Sequence, residues 1–168
     1  DVEALVDKAV ETYGRLDCAH NNAGIERELT FPDRRHTEET WDQIIDINLK
    51  GVWLCMKYEV RQMLKQGEGA IVNTSSIAGM VAAVGQPVYT ASKHGVSGLT
   101  KAIALEYARE DIRVNAVCPG FIDTPLMDRI YEKHPDLVGA AAEAEPVGRA
   151  GTPEEVAEAV VWLCSDKA

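Results

Sequence analysis

Tyr89 and Lys93 lie four positions apart in the segment PVYTASKHG, and on a helix that spacing brings a phenol and an ammonium onto one face, about 5–6 Å apart at Cβ. A free tyrosine ionises near pH ~10, so at neutral pH only about one in a thousand is a phenolate. Lowering that value to ~7 takes about 4 kcal/mol, at ~1.36 kcal/mol per pH unit. A cation held within ~4–6 Å can supply a good part of it. The pair therefore suits a general acid/base with its activator. The same two residues also occur together on solvated helix faces, so the pair gains meaning only from its surroundings.

Two other stretches supply those surroundings. NTSS ends an apolar run, which puts Ser75 and Ser76 at the edge of a sheet, where a hydroxyl can donate to a developing alkoxide or a carbonyl oxygen. The plainer reading is that these serines cap the turn, and it suits Ser75 better than Ser76. Asn48 is polar on a stripe otherwise formed by Trp41, Ile44, Ile45, Leu49 and Val52. A buried amide must be satisfied, so Asn48 either stabilises an irregularity in its helix or holds a water. Gly51 weakens the helix close by.

The elements that position these groups follow from periodicity and punctuation. Val2, Leu5, Val6, Ala9, Val10 and Tyr13 recur at helical spacing until Gly14 stops them. RLDCAHNNAG reads as a short buried strand and a tight turn, and residues 25–36 as polar and irregular. Thr37 is an expected N-cap, with Glu38 and Glu39 suited to the helix dipole. GEGAIVNTSS reads as a parallel strand covered on both faces. Pro87 opens a helix to about residue 109, IRVNAVCPG is the next strand, and residues 121–148 show weak periodicity. Near the C-terminus Thr152, Pro153 and Glu155 form a capping box ahead of an apolar stripe. Alternating helices and strands predict an α/β fold: a doubly wound parallel sheet with three sequential strands at about 16–21, 69–75 and 112–118. Ligands collect at the carboxyl ends of such strands, here NNAG, NTSS and CPGFIDT.

Composition narrows the partners. The 168 residues carry a formal net charge of -10, which repels phosphate backbones and argues against nucleic acid. No apolar run is long enough to cross a bilayer as a helix. Cys18, Cys55, Cys118 and Cys164 follow no metal spacing and read as reduced core thiols of a cytoplasmic protein. His20, His36, His94 and His134 make no ligand spacing, so no catalytic metal is expected. The chain starts at Asp1, inside an amphipathic pattern, and is expected to be an internal piece of something longer.

NNAG, Asn48 within DINLKGVW, IVNTSS, YTASK and VNAVCPGFIDT, in this order, resemble the short-chain dehydrogenase/reductase family in its simple single-domain branch. The resemblance implies a partial Rossmann-like domain over 1–168, its catalytic half, acting with NAD or NADP. The family reaction is hydride transfer between the nicotinamide and a carbonyl or secondary alcohol. It further implies Tyr89 as general acid/base and Ser76 as the group that orients the substrate oxygen. Lys93 would hydrogen-bond the nicotinamide ribose and depress the tyrosine pKa, and Asn48 would hold a proton-relay water at a helix kink. Asn22, Ala23 and Gly24 would line the cofactor ribose, with Asn21 bracing the sheet. Pro119, Gly120, Ile122 and Thr124 would lie beside the nicotinamide. Leu126, Met127, Ile130, Tyr131 and Leu137 suggest an apolar lid. Relatives pair through helices near 41–64 and 87–109, so a homodimer or homotetramer is implied. Small residues Ala91, Ser92, Gly95, Ser97, Gly98, Ala102 and Ala104 would permit close approach there.

The span holds no match to the family's TGxxxGxG turn, so residues 1–168 alone are expected to bind the cofactor poorly. Other readings compete with the oxidoreductase. A halohydrin-lyase type would carry arginine where Lys93 stands, and enoyl reductases of the family carry a longer Tyr–Lys spacing. A non-catalytic interaction module has no chemical need for Asn48, Ser76, Tyr89 and Lys93 together. A serine hydrolase would need a G-x-S-x-G elbow.

Overall fold

The computed structural model describes residues 2–26, 37–133 and 145–168, with Pro135, Gly139 and Glu143. Residues 27–36 of the expected irregular stretch, Leu137 of the expected lid, and His36 and His134 lie outside the described residues.

Three strands form one parallel sheet in the order β1 (Cys18–Asn21), β2 (Gly69–Thr74), β3 (Ile112–Val117). That is the expected topology. Burial explains why β2 is central. Ile71 and Asn73 point to one face, Ala70 and Val72 to the other, and all four are buried. β1 departs from expectation. Only Asn21 is buried in it, because β1 lies at the sheet's edge. Cys18 is accordingly exposed and the other three cysteines are half-buried, so none of the four is a core thiol.

Six α-helices among the described residues flank the strands: α1 (Val2–Tyr13), α2 (Glu38–Ile45), α3 (Gly51–Gln66), α4 (Pro87–Glu106), α5 (Pro125–Lys133) and α6 (Pro153–Cys164). α3 and α4 build the core with the sheet: Val52, Met56, Val60, Met63 and Val96 pack on Ile71, Ile112 and Val114. α6 packs on all three strands, and α1 leans on α3. Gly67, at φ 86, closes α3 in the left-handed region, which suits a residue without Cβ. The Thr37 cap and the Thr152–Glu155 capping box form as expected. α4 ends at Glu106, three residues short of the expected end. α5 is a helix that weak periodicity conceals; its signal was Pro125 followed by Leu126, Met127, Ile130 and Tyr131. No helix of the described residues is long and apolar enough to cross a membrane.

α2 and α3 are joined by a π-helical turn, Asp46–Lys50, where Gly51 N–H bonds back to the Asp46 carbonyl. π-turns of this kind aim one side chain off the regular spiral. Here that side chain is Asn48, fully buried. The stripe on which the sequence placed it is partly open, since Trp41 is 48 % exposed while Ile44 and Val52 are buried.

Candidate active site

The carboxyl ends of the three strands meet the first turns of α4. Pro87 at the first helical position presets the backbone there, and the small residues between Tyr89 and Lys93 allow α4 to lie close to β2. The Lys93 ammonium is 5.6 Å from the centre of the Tyr89 ring, so the helical spacing does bring the two together. Lys93 is buried and its Nζ donates to the Thr74 carbonyl at 2.8 Å. Burial pushes Lys93 down to about 8.

Tyr89 departs from the sequence expectation. Its pKa is raised, not depressed: burial pushes it up, the hydrogen bond with Ser76 pulls down, and the Glu26 carboxylate pushes up again. Lys93 does not reverse this, because its own charge is desolvated and turned toward a backbone carbonyl. Burial thus shifts both members of the pair toward their neutral forms, while Lys93, at about 8, still carries its charge at neutral pH.

The capping part falls to Ser76 rather than to Ser75, while Ser76 also keeps its expected place beside Tyr89. Ser76 caps the short 3-10 turn Ile77–Gly79, accepting from Ala78 N–H at 3.1 Å, and its hydroxyl also meets Tyr89. Ser75 caps nothing. It is buried, donates to the Lys93 carbonyl at 3.0 Å and shares a 2.8 Å hydrogen bond with Ser97. It ties the end of β2 to α4, so the Ser76–Tyr89 separation is set by its neighbour.

Asn48 spends its amide on protein partners. Oδ1 accepts from Ile25 N–H at 2.8 Å, and Nδ2 donates to the Ile25 carbonyl at 2.9 Å and to Ser92 Oγ at 3.3 Å. Both amide protons are thereby committed to protein partners. The side chain secures the end of the turn that follows β1. Ser92 in turn donates to the Tyr89 carbonyl at 2.7 Å. Sequence reasoning missed Ser92 as a site residue; its position directly before Lys93 in YTASK was the available signal.

The turn formed by Asn22, Ala23 and Gly24 is exposed. A Cβ built on Gly24 would lie 3.4 Å from Asn48 Oδ1 and 3.6 Å from Lys93 Nζ. The bare glycine edge therefore opens onto the amide and the ammonium together. Pro119 accepts from Ile77 N–H at 2.9 Å, which seats the loop after β3 beside Ser76. Ile122 makes a parallel bridge with Gly151, and the Thr124 hydroxyl donates to the Ile122 carbonyl at 3.3 Å. Glu145 Oε1 accepts from Phe121 N–H at 2.8 Å and crowds Gly120. These contacts hold Gly120, Ile122 and Thr124 within their own loop, while Asn48, Ser76, Tyr89, Lys93 and Gly24 converge. The small residues of α4 also divide. Ser92, Gly95 and Ser97 pack inward, on Asn48, Leu49 and Ser75, and only Ala91, Gly98 and Ala102 of the expected pairing face are exposed.

Tyrosine, serine and ammonium around an exposed glycine turn can position a carbonyl or alcohol oxygen and move one proton to or from it. The same turn, with polar Asn22 and the nearby ammonium, fits the ribose half of a dinucleotide. Among the described residues no group of three or more His, Cys, Asp and Glu side chains could hold a metal ion.

Comparison with known proteins agrees with this geometry. The family model described as enoyl-(acyl carrier protein) reductase matches residues 1–168. Cyclohexanol dehydrogenase from Acinetobacter sp. (strain SE19) is 47 % identical over 168 residues, covering 100 % of this chain and 64 % of the relative. The 3-oxoacyl-(acyl-carrier-protein) reductase FabG from Thermotoga maritima is 46 % identical, covering 99 % of this chain and 65 % of the relative. The chain thus spans a little under two thirds of the length of these two relatives. The solved structure of ElxO with NADP bound superposes at a TM-score of 0.90 with 34 % identity, over 98 % of this chain and 66 % of that one.

Proposed function

The chain belongs to the short-chain dehydrogenase/reductase family, and from that premise we propose that it is the catalytic part of an NAD- or NADP-dependent oxidoreductase acting on a secondary alcohol or its ketone. One observation carries the reading: the Lys93 ammonium stands 5.6 Å from the Tyr89 ring, with the Ser76 side chain acting on the same phenol.

Asn22, Ala23, Gly24 and Lys93 hold the ribose side of the cofactor, and Pro119, Gly120, Ile122 and Thr124 border its nicotinamide. When bound, the cofactor supplies the carbon that accepts or donates hydride. The chain supplies position and a proton. Ser76 donates to the substrate oxygen, which fixes that oxygen against Tyr89. In reduction Tyr89 gives its hydroxyl proton to the carbonyl oxygen, and in oxidation it takes the proton of the alcohol. Lys93 faces the phenolate that remains after proton donation. Asn48 keeps the turn before Ile25 in place. The span 1–168 reads as one partial Rossmann-like domain.

The substrate class is an apolar, ring-sized alcohol or ketone. The segment joining Ser76 to Tyr89 exposes Met80, Val81 and Val84, and the loop after β3 adds Phe121, so the approach is apolar. A relative named cyclohexanol dehydrogenase supports the same class. The alternative, a 3-oxoacyl thioester, follows the other relative's name. A homodimer or homotetramer joined through α3 and α4 is in keeping with Trp53, Gly98 and Leu105 at their surfaces, and a cytoplasmic location with the cysteine usage. The test is turnover by the whole enzyme of which this is the proposed catalytic part, with NAD and with NADP, followed at the nicotinamide absorbance, on cyclic secondary alcohols, linear alcohols and 3-oxoacyl thioesters. Cofactor-dependent turnover of the cyclic alcohols is expected. Turnover of none of the three refutes the reading.

A further inference from the structure

Among the described residues two side chains of the charged type are buried: Lys93, at the site, and Glu59 on α3, 6 % exposed. Glu59 has no part in the chemistry above. Its surroundings are amides and a hydroxyl in one connected chain. Asn21 Nδ2 donates to Glu59 Oε2 at 3.0 Å and to Asn73 Oδ1 at 2.9 Å. Asn73 Nδ2 donates to Thr100 Oγ1 at 2.9 Å and to Met56 Sδ at 3.2 Å. Thr100 donates to the Val96 carbonyl at 2.8 Å. The chain therefore crosses the core from α3 through β1 and β2 to α4.

Its direction is set at Asn21. An asparagine amide can present either its oxygen or its two protons to a given neighbour. Here two acceptors, a carboxyl oxygen and an amide oxygen, face it together, so the NH2 group must point at both. Remove the carboxyl and one buried donor loses its partner, and the orientation is no longer enforced. The two asparagines sit in register, Asn21 opposite Asn73, at the strand ends. Asn21 directly precedes the turn at 22–24. Asn73 directly precedes Thr74, whose carbonyl takes the Lys93 ammonium, and then Ser75 and Ser76.

We propose that Glu59 is a positioning residue: by holding Asn21 in one orientation it fixes, through Asn73, where the cofactor turn at 22–24 stands relative to Ser76 and Lys93. The inference rests on the functional reading above for its kinetic consequence, though not for its structural one.

The state of Glu59 gives a readout that simple loss of packing would not move. Burial raises its carboxyl to about 7, with the Asn21 hydrogen bond pulling the other way. The packed elements present it with Asn21 from β1, Asn73 from β2 and Thr100 from α4. The Cys55 thiol, one turn earlier on α3, is pushed up by burial first and by Glu59's charge second, while Glu3 and Asp7 of α1 act on Arg61. The carboxyl is thus largely neutral below neutrality and charged above it, in a pocket built for neutral partners.

The experiment compares wild type, Glu59→Gln and Glu59→Leu in the whole enzyme of which this is the proposed catalytic part. Cofactor affinity and turnover at saturating cofactor are measured at about pH 6 and about pH 8.5, on either side of the carboxyl's titration. Glutamine keeps an acceptor oxygen without a charge. It should hold the cofactor as wild type does at low pH, and lose the part of the pH dependence that wild type owes to Glu59. Leucine should weaken cofactor affinity about tenfold at both pH values, the effect of unpairing a buried donor, while turnover at saturation changes less. A folded Glu59→Leu with wild-type affinity, or Glu59→Gln as weak as Glu59→Leu, overturns the proposal. If wild type binds no nicotinamide cofactor, the functional reading has failed by itself. Amide hydrogen exchange at 22–24 then decides: faster exchange in Glu59→Leu but not in Glu59→Gln sustains the grip on the turn, and equal exchange in all three overturns it.

Discussion

Replacing Tyr89 by phenylalanine tests the site most directly, because it removes one oxygen and little else. The ring stays beside Lys93, and the chief loss within the protein is at most one hydrogen bond with Ser76. Such a bond contributes about 1 kcal/mol to stability, so Tyr89→Phe should fold with a melting temperature close to that of wild type. The rate effect should be far larger. Losing a general acid/base lowers turnover by ~10²–10⁴, equivalent to about 3–5 kcal/mol of barrier. Since the second figure exceeds the first, unfolding could not account for the loss. Lys93→Ala should slow turnover further and also weaken cofactor affinity, because the ammonium faces both Tyr89 and Gly24. Lys93→Arg keeps the charge. Its planar group cannot, however, reproduce a compact ammonium placed between the Thr74 carbonyl and the glycine edge, so it should rescue only in part.

The pH profile sharpens the same test. Alcohol oxidation needs Tyr89 able to take a proton, so its rate should rise with pH as the phenol ionises. Lys93, pushed down to about 8, loses its charge at lower pH than the raised Tyr89 ionises. The sequence reading placed the tyrosine far below its free value. The structure instead has burial raising it, so the free enzyme should show no strong acid shift. The assay is single-turnover hydride transfer at saturating cofactor across pH, in wild type and Tyr89→Phe. The rising limb should vanish in the variant. Rates within tenfold of each other at every pH would show that Tyr89 is not the acid/base, and the site assignment would have to be abandoned.

Three further outcomes follow from single contacts. Glu59 is raised from 4.5 unfolded to about 7 folded, so its contribution is fully present below about 4.5 and lost as pH rises through 7; that gap is worth on the order of 3 kcal/mol, and Glu59→Gln should flatten this part of a stability-against-pH curve measured by denaturant unfolding. Gly24→Ala places a methyl 3.4 Å from Asn48 Oδ1 and 3.6 Å from Lys93 Nζ, ordinary contact distances, so the fold should tolerate it while cofactor affinity drops; unchanged affinity by titration would remove the turn from the binding surface. Gly79→Ala drives its methyl into Ser75 Oγ and to 2.7 Å from the Lys93 carbonyl, so it should cost about 1–3 kcal/mol of stability, and a wild-type melting curve would refute the close approach of the 3-10 turn to α4.

Much of this arrangement was legible in the sequence because the signals are local. Parallel strands announced themselves by apolar runs between helical patterns, and Tyr89, Lys93 and Ser76 by spacing and by position at a strand end. What escaped depends on partners distant in sequence. Nothing in RLDCAHNNAG says that its strand lies at the edge of the sheet, so the exposure of Cys18 was hidden. Nothing in NTSS says which serine turns inward; that is decided by Ser97 and the Lys93 carbonyl on α4. The small residues of α4 looked like one face made for a partner helix, but Leu49 fills the space over Gly95 and Asn48 bonds Ser92. Composition reports that a helix can be approached closely, and only packing tells by what.

The same distinction explains the polar core behind the site. A parallel strand buried on both faces ordinarily carries apolar residues throughout, yet β2 ends with Asn73 and Thr74 and runs on into Ser75 and Ser76, and all four interact with residues of α4. Buried polar groups are tolerated only when every donor finds an acceptor, and a connected set then permits one arrangement where apolar packing permits several. Asn21, Asn73 and Thr100 form one such set, and Ser75 and Ser97 form a second that is bonded to the Lys93 carbonyl. Their cost to stability is set against a gain in uniqueness, at the place where an ammonium, a phenol and a hydroxyl must share one small volume. Glu59 ends the first set on the side away from the chemistry. Whether its removal loosens the cofactor turn without unfolding the protein therefore separates a core that merely tolerates polarity from one that uses it to aim the site.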